Sequence, residues 1–266
     1  MKPKRLSSAH IASVVFVFIS LSLIPVAGFS QQAKAEKEAA KPTIILVHGL
    51  WADGSCWSKV IADLLDQGYK VIAVQNPTTS IEDDVAATQR AIETAGGDVI
   101  LVGHSWGGFV ISEAGNNPHV KALVYVAAFA PDKGETIPSL SEKASPTQLQ
   151  SYLQSAGGFI TLSKDGVTKA FADDLPAKEQ GMVFTVQQPA SQNVFAAVGS
   201  NAAWKQKPSW YIVASEDKTI HPDLERLMAE RARAKTTVIK SSHVAMLSHP
   251  KNVLAVILDA VNQVSK

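Results

Sequence analysis

Val99 to Gly108 read V-I-L-V-G-H-S-W-G-G, and a serine in that setting suits nucleophilic chemistry. An apolar, β-branched run ends at Gly103-His104-Ser105-Trp106-Gly107, and a helix-compatible segment follows from Phe109 to Gly115. This is the G-x-S-x-G pattern of a nucleophile elbow, in the strand–turn–helix setting that the motif requires. A serine on so tight a turn is pushed into strained backbone angles, so the residues two before and two after it must be small. The helix beginning just beyond it points its N–H groups to the place where an oxyanion forms. The plainer meaning of the same pattern is a glycine-rich turn that packs closely or binds an anion.

A serine hydroxyl is a weak nucleophile until an imidazole takes its proton. The imidazole in turn needs a carboxylate to set its tautomer and stabilise its charged form. After such an elbow these partners follow in the order acid, then histidine, on loops beyond later strands. His243, in Ser241-Ser242-His243-Val244-Ala245-Met246, stands just after the last predicted strand. The other histidines are worse placed: His10 lies in the N-terminal apolar segment, His48 in a His-Gly loop and His104 inside the elbow. His119 precedes a strand, and His221 and His249 sit beside helix starts, where solvated or capping roles suffice.

For the acid, Ser215-Glu216-Asp217-Lys218 follows a strand, and Asp217 is preferred to Glu216 as the shorter side chain at a turn. Asp132, after the preceding strand, is the runner-up; the structural alternative for Asp217 is a turn former or an ion pair with Lys218. Two backbone N–H groups are needed for the oxyanion, and they are assigned to Trp106, directly after the serine, and Leu50, just past His48-Gly49. Trp51, Trp57, Trp106 and Phe129 are candidates to surround an apolar acyl or aromatic group, with plain core packing as the other reading. His243 and His249 are not at helical ligand spacing and no Cys/Asp cluster accompanies them, so neither a metal nor a cofactor is expected.

These groups need a rigid frame, and the chain supplies alternating strands and helices, the pattern of a parallel sheet covered on both faces. Strands are predicted at 43–47, 69–75, 99–102, 121–128, 209–214 and 236–240. Helices are predicted at 59–67, 81–95, 222–233 and 250–264, the second opening on Glu82, Asp83 and Asp84 as the helix dipole favours. Alternation fails from about Pro131 to Pro208, a stretch richer in Ser, Gln, Pro and Lys. Short helical patches at 146–155, 176–185 and 191–198 suggest a helical cap inserted over the sheet.

The 266 residues, 46% of them hydrophobic, suit one globular domain with a sizeable core. Lys2, Lys4 and Arg5 precede an uncharged apolar run from Ile11 to Gly28, so residues 1–30 read as a secretory signal peptide. Cleavage is expected after Val26-Ala27-Gly28 or Ala33-Lys34-Ala35; the rival, an uncleaved anchor, is disfavoured because the run is short for spanning a bilayer. Residues 31–41 then form a polar linker, and 42–266 the folded domain, placed in the periplasm or outside the cell.

Without residues 1–30, which hold three basic and no acidic groups, 22 basic residues face 24 acidic ones, a formal charge of −2. That leaves no basic block for nucleic acid and no sign of stable membrane association after cleavage. Cys56 is the sole cysteine, so an exported chain has no internal disulfide, and the thiol reads as a buried filler.

With these residues in place the chain resembles an α/β-hydrolase from about residue 42 to 265. It is most similar to the branch of plant methylesterases and hydroxynitrile lyases and its bacterial esterase relatives. The matching pieces are Val47-His48-Gly49 followed by Trp57, then Gly103-His104-Ser105-Trp106-Gly107-Gly108, Glu216-Asp217-Lys218 and His243-Val244-Ala245-Met246-Leu247. The resemblance implies an α/β-hydrolase fold, a mostly parallel central sheet flanked by helices with a cap at about 131–208. It also separates two chemistries. The lyases carry threonine where Gly49 stands and lysine directly after the histidine, where this chain has Val244. Ester hydrolysis needs neither group. The chain departs from the plant enzymes in the bulkier Trp106 and in its cap sequence.

The function expected is therefore hydrolysis of a small-molecule carboxylic ester through Ser105, His243 and Asp217 and an acyl-enzyme, without cofactor. An acyltransferase, a lactonase or a haloperoxidase-like enzyme uses the same triad, and a ligand-binding protein on this scaffold is the non-enzymatic alternative. Serine in the elbow disfavours the aspartate-nucleophile dehalogenases and epoxide hydrolases.

Overall fold

The computed structural model describes residues 41–265, so the predicted signal peptide and, apart from Lys41, the predicted linker lie outside the described residues. Nine strands follow in chain order: β1 (Thr43–Val47), β2 (Val71–Val74), β3 (Val99–His104), β4 (Val120–Val126), β5 (Leu153–Ala156), β6 (Phe159–Leu162), β7 (Ala190–Ser191), β8 (Ser209–Ala214) and β9 (Lys235–Ile239). Six of them form an all-parallel sheet in the order β2-β1-β3-β4-β8-β9.

The burial follows from the sequence pattern. β1 and β3 are continuous apolar runs, and every residue in both is buried, as strands covered on two faces require. β9 at the edge carries Lys235, Thr236 and Thr237, and it is the strand of this sheet left most open to solvent. Helices at Ser58–Asp66, Ile81–Ala95, Trp106–Ala114, Pro222–Arg231 and Pro250–Val264 flank the sheet. The 81–95 helix is bounded as its sequence suggests: the Ser80 hydroxyl accepts from Asp83 N–H at 3.1 Å, and Gly96 closes it in the left-handed conformation at φ 66°.

Strand order reverses around β1. The chain steps from β1 to β2 on one side and returns to β3 on the other, with Val47 paired to Gly103 at the carboxyl end. The loops leaving β1 and β3 therefore diverge from the same spot, where open α/β sheets hold their ligands.

The insertion between β4 and β8 differs from the sequence reading in one respect. Beside short helices, among them Ile137–Ser141 and Ala177–Val186, it contains a three-stranded antiparallel sheet, β5-β6-β7. The predicted helical patch at 146–155 is a 3₁₀ turn, Gln148–Tyr152, that runs straight into β5. Gly157 and Gly158, both at positive φ, make the two-residue turn from β5 to β6. The insertion is tied to the sheet's carboxyl end: Trp51 Nε1 donates to Ile160 O at 3.0 Å and Ser191 N–H to Thr78 O at 2.9 Å.

Candidate active site

Ser105 joins β3 to the 106–114 helix at φ 53° and ψ −122°, in the left-handed half of backbone space where a residue with a Cβ costs about 1–3 kcal/mol. The surroundings hold it there. Ser105 N–H donates to Val126 O at 3.3 Å, and Ser105 O accepts from Gly108 N–H at 3.0 Å and Phe129 N–H at 3.1 Å. The small residues of the motif have a direct cause. A Cβ on Gly103 would stand 2.4 Å from Gly107 O, and one on Gly107 only 2.3 Å from Val47 O. The helix can approach the sheet that closely only without side chains there.

The turn brings Ser105 to a cavity of about 780 Å³, whose walls include Leu50, Trp51, Trp106 and Phe129 from the sheet side. Ile137, Leu149, Leu153 and Phe195 face them from the insertion. Of the aromatic candidates, Trp51, Trp106 and Phe129 are thus in the wall. Trp57 is not: it is fully buried in the core, its ring edge-on to that of His104. Its apolar bulk, not its position near the His-Gly loop, decided where it went. Among the described residues the Leu50 and Trp106 amides have no hydrogen-bond acceptor, and Trp106 opens a helix whose first N–H groups have no intrahelical partner.

His243 lies in the loop after β9 and its ring is fully buried. His243 Nδ1 meets Asp217 Oδ2 at 2.5 Å, while Asp217 Oδ1 accepts from Thr219 N–H at 2.6 Å and Ile220 N–H at 3.1 Å. Asp132 instead pairs with Lys205 at 2.5 Å on the protein surface. With Nδ1 engaged by the carboxylate, Nε2 is the ring nitrogen left without a partner among the described residues. Ser105 and His243 are linked through the neighbouring residue: His104 Nε2 donates to His243 O at 3.0 Å, and the two imidazoles lie 4.6 Å apart. Burial pushes His104 well below the usual histidine range, so its ring is a neutral donor at this point.

Three supporting residues escaped the sequence reading. Asp174, from the insertion, takes the Ser242 hydroxyl at 2.5 Å and the Ser242 N–H at 3.0 Å, which fixes the loop that carries His243. His48 holds the loop after β1: its Nδ1 donates to Gly49 O at 2.8 Å and its Nε2 accepts from Asn76 N–H at 2.9 Å. Asp84, expected only to complement a helix dipole, turns inward. Its carboxylate accepts from Trp106 Nε1 at 2.7 Å and from Thr78 N–H at 2.8 Å, anchoring the residue next to Ser105. Burial raises the Asp84 carboxyl to about 6 against the opposing pull of those hydrogen bonds. Its place on the buried face with Ala87, Thr88 and Ala91 was visible in the helical period; its partners were not. Cys56 is partly buried, unpaired and away from the cavity wall, and burial pushes its thiol up.

The alpha/beta hydrolase family model matches residues 44–256. The chain belongs to that family. Within it, this hydrolase is 32% identical to the carbendazim hydrolyzing esterase of Nocardioides sp. (strain SG-4G) over 135 residues, 46% of this chain and 55% of the relative. It is 25% identical to Methylesterase 2 of Arabidopsis thaliana over 247 residues, 81% of this chain and 94% of the relative. Among solved structures, the pyrethroid hydrolase of Sphingobium faniae JZ-2 superposes with a TM-score of 0.72 at 24% identity, covering 83% of this chain and 97% of that one. The hydrolase thus shares its fold with that enzyme and is similar in sequence to named esterases.

Proposed function

We propose that this hydrolase cleaves neutral, largely apolar carboxylic esters through Ser105, His243 and Asp217. The observation that carries the reading is the buried Asp217–His243 hydrogen bond at 2.5 Å, which orients a ring whose other nitrogen has no partner among the described residues. In the reaction, Ser105 Oγ adds to the ester carbonyl carbon as its proton passes to His243 Nε2. The carbonyl oxygen becomes an oxyanion and takes hydrogen bonds from the Leu50 and Trp106 amides. Collapse breaks the C–O bond to the alcohol, which leaves with the proton from His243. Water then adds to the acyl-serine with His243 again as base, releasing the acid and restoring Ser105.

The substrate class follows from the wall. Among the described residues no lysine or arginine lines the cavity, and Glu142 and His221 are the only titratable side chains in its wall. A substrate carboxylate would enter without a countercharge, whereas an apolar ester meets Trp51, Phe129, Leu149 and Phe195. Hydrolysis is favoured over cyanohydrin cleavage by position 49. A Cβ there would stand 2.6 Å from Ser105 Cβ and 3.1 Å from His104 O, so Gly49 leaves no room for the lyase threonine without moving the serine. Val244 is buried, where a lysine would have to desolvate its ammonium. We also place the protein outside the cytoplasm on the strength of residues 1–30; N-terminal sequencing of the protein recovered from the cell envelope tests this.

Ser105→Ala tests the assignment. Turnover of a neutral aryl ester is expected to fall on the order of 10⁶-fold with an unchanged unfolding midpoint, and labelling by a fluorophosphonate probe to disappear. Retention of more than a few per cent of activity in contaminant-free protein would show that the elbow serine is not the nucleophile.

A further inference from the structure

Glu225 is a fully buried carboxyl for which the reaction above has no use. It stands in the first turn of the 222–231 helix, on a face otherwise made of Leu224, Met228 and Ala229. A charged carboxylate on that face loses its water and repels any like charge nearby. The nearest such charge is the site's own acid. Glu225 interacts with the Asp217 carboxyl, and its Oε2 accepts from Ala214 N–H at 2.9 Å, at the end of β8 three residues before Asp217. Its Oε1 receives no donor from any described residue.

Asp217 is differently placed. Thr219 and Ile220 N–H groups and His243 Nδ1 all point at it, so the charge of the pair is stabilised on Asp217. Ionised carboxylates only accept hydrogen bonds, so contact between two of them needs a proton on one. With donors gathered around Asp217 and an oxygen of Glu225 lacking any, the proton belongs on Glu225. We propose that Glu225 is a positioning residue of the active site, a neutral carboxylic acid that donates a hydrogen bond to Asp217 and steadies it against His243. The proposal rests on the Asp217–His243 assignment above and adds a residue that acts through Asp217.

The other groups around Glu225 fit a neutral acid. Tyr211 of β8 faces it with a hydroxyl that donates to Ala128 O, and His243 lies beyond Asp217. Arg226, on the same helix, is half exposed and paired with Asp223 at 2.8 Å, so its attraction for a charged Glu225 is shared and screened. Burial, then the Asp217 charge, push the Glu225 carboxyl well above the usual carboxylate range. A hydrogen bond from Glu225 spreads the negative charge of Asp217 over the pair that faces the His243 ring.

Two variants of the full-length protein test this. Glu225→Gln keeps the shape, an oxygen for Ala214 N–H and an N–H for Asp217; Glu225→Leu removes both. The readouts are kcat/KM against pH for a neutral aryl ester, and the wild-type-minus-variant infrared spectrum at pH 8. The Gln variant is expected to keep the acid limb where the wild type has it, and the spectrum to show loss of one protonated-carboxyl carbonyl band. The Leu variant is expected to lose about tenfold in kcat/KM, with its acid limb moved up by about one pH unit.

An ionised Glu225 predicts the opposite. The difference spectrum would then lack the protonated band, and Glu225→Gln would move the acid limb down by removing a charge. Either result overturns the proposal, as does a wild-type profile in a folded Leu variant. If the Leu variant does not fold, the Gln profile and the infrared band decide. Because the infrared readout is independent of turnover, failure of the serine assignment in Ser105→Ala would be distinguishable from failure here.

Discussion

Asp84→Asn isolates the energetic consequence of burying a carboxyl behind the nucleophile. In the folded protein the Asp84 carboxyl titrates at about 6 instead of 3.8, because the residue is fully buried. A folded-state value raised above the unfolded one means that the folded state binds a proton the unfolded chain has already lost. The stabilisation is fully present below pH 4 and disappears as pH rises through 6. The full shift corresponds to about 3 kcal/mol, and about 1.4 kcal/mol of it is lost between pH 5 and pH 7.5. Asparagine cannot titrate, so this dependence vanishes in the variant. A constant offset remains, because an amide oxygen accepts from only one of Trp106 Nε1 and Thr78 N–H and leaves the other unpaired, at about 1–3 kcal/mol.

The absolute stability of the variant is therefore a poor test, and the slope is the informative quantity. Urea unfolding of both proteins at pH 5, 6, 7 and 7.5 gives the wild-type-minus-variant difference, in which groups common to both cancel. That difference is expected to shrink, or turn in favour of the variant, by about 1.4 kcal/mol from the lowest pH to the highest. A difference independent of pH would refute the reasoning and show that Asp84 keeps an ordinary carboxylate value in the fold.

Asp217→Asn is expected to lower kcat by about 10⁴-fold with a smaller change in KM, since an amide cannot hold the His243 tautomer. Steady-state kinetics checks this, with Asp132→Asn as the mild control because its carboxylate pairs with Lys205 and accepts from Lys133 N–H, away from His243. Gly49→Thr puts a Cβ 2.6 Å from that of Ser105, so ester turnover is expected to fall by about 100-fold or more. Neither it nor the wild type should release cyanide from mandelonitrile; enzyme-dependent cyanide release lost in Ser105→Ala would refute the hydrolase preference. Gly107→Ala drives a methyl to 2.3 Å from Val47 O, and a loss of about 3 kcal/mol in urea unfolding is expected.

Much of the frame was legible because buried parallel strands announce themselves as apolar runs. β1 and β8 and the 81–95 and 250–264 helices have the boundaries read from the sequence. The β5–β6 hairpin escapes a sequence reading although its Gly157-Gly158 turn is in view, because the strands beside it are four residues each, the first largely exposed, and neither has a strong alternation. The neighbourhood of Trp57 in the chain points to a cavity wall, whereas its burial depends on what the 3₁₀ turn at Gly54–Trp57 packs against.

What the sequence determined by itself is local: an elbow whose serine needs small residues around it, an acid and a histidine on later loops, and strands and helices in alternation. These follow from backbone sterics and from hydrophobic period, both written within a few residues of one another. The tertiary structure decided which polar groups meet. Asp84 reaches Trp106 across 22 positions, Asp174 reaches Ser242 across 68, and Asp217 reaches His243 across 26. Such pairings are set by the order of strands in the sheet and by how closely the glycines let helix and strand approach. A buried carboxyl takes its charge state from those neighbours, so the side chain alone could not reveal it.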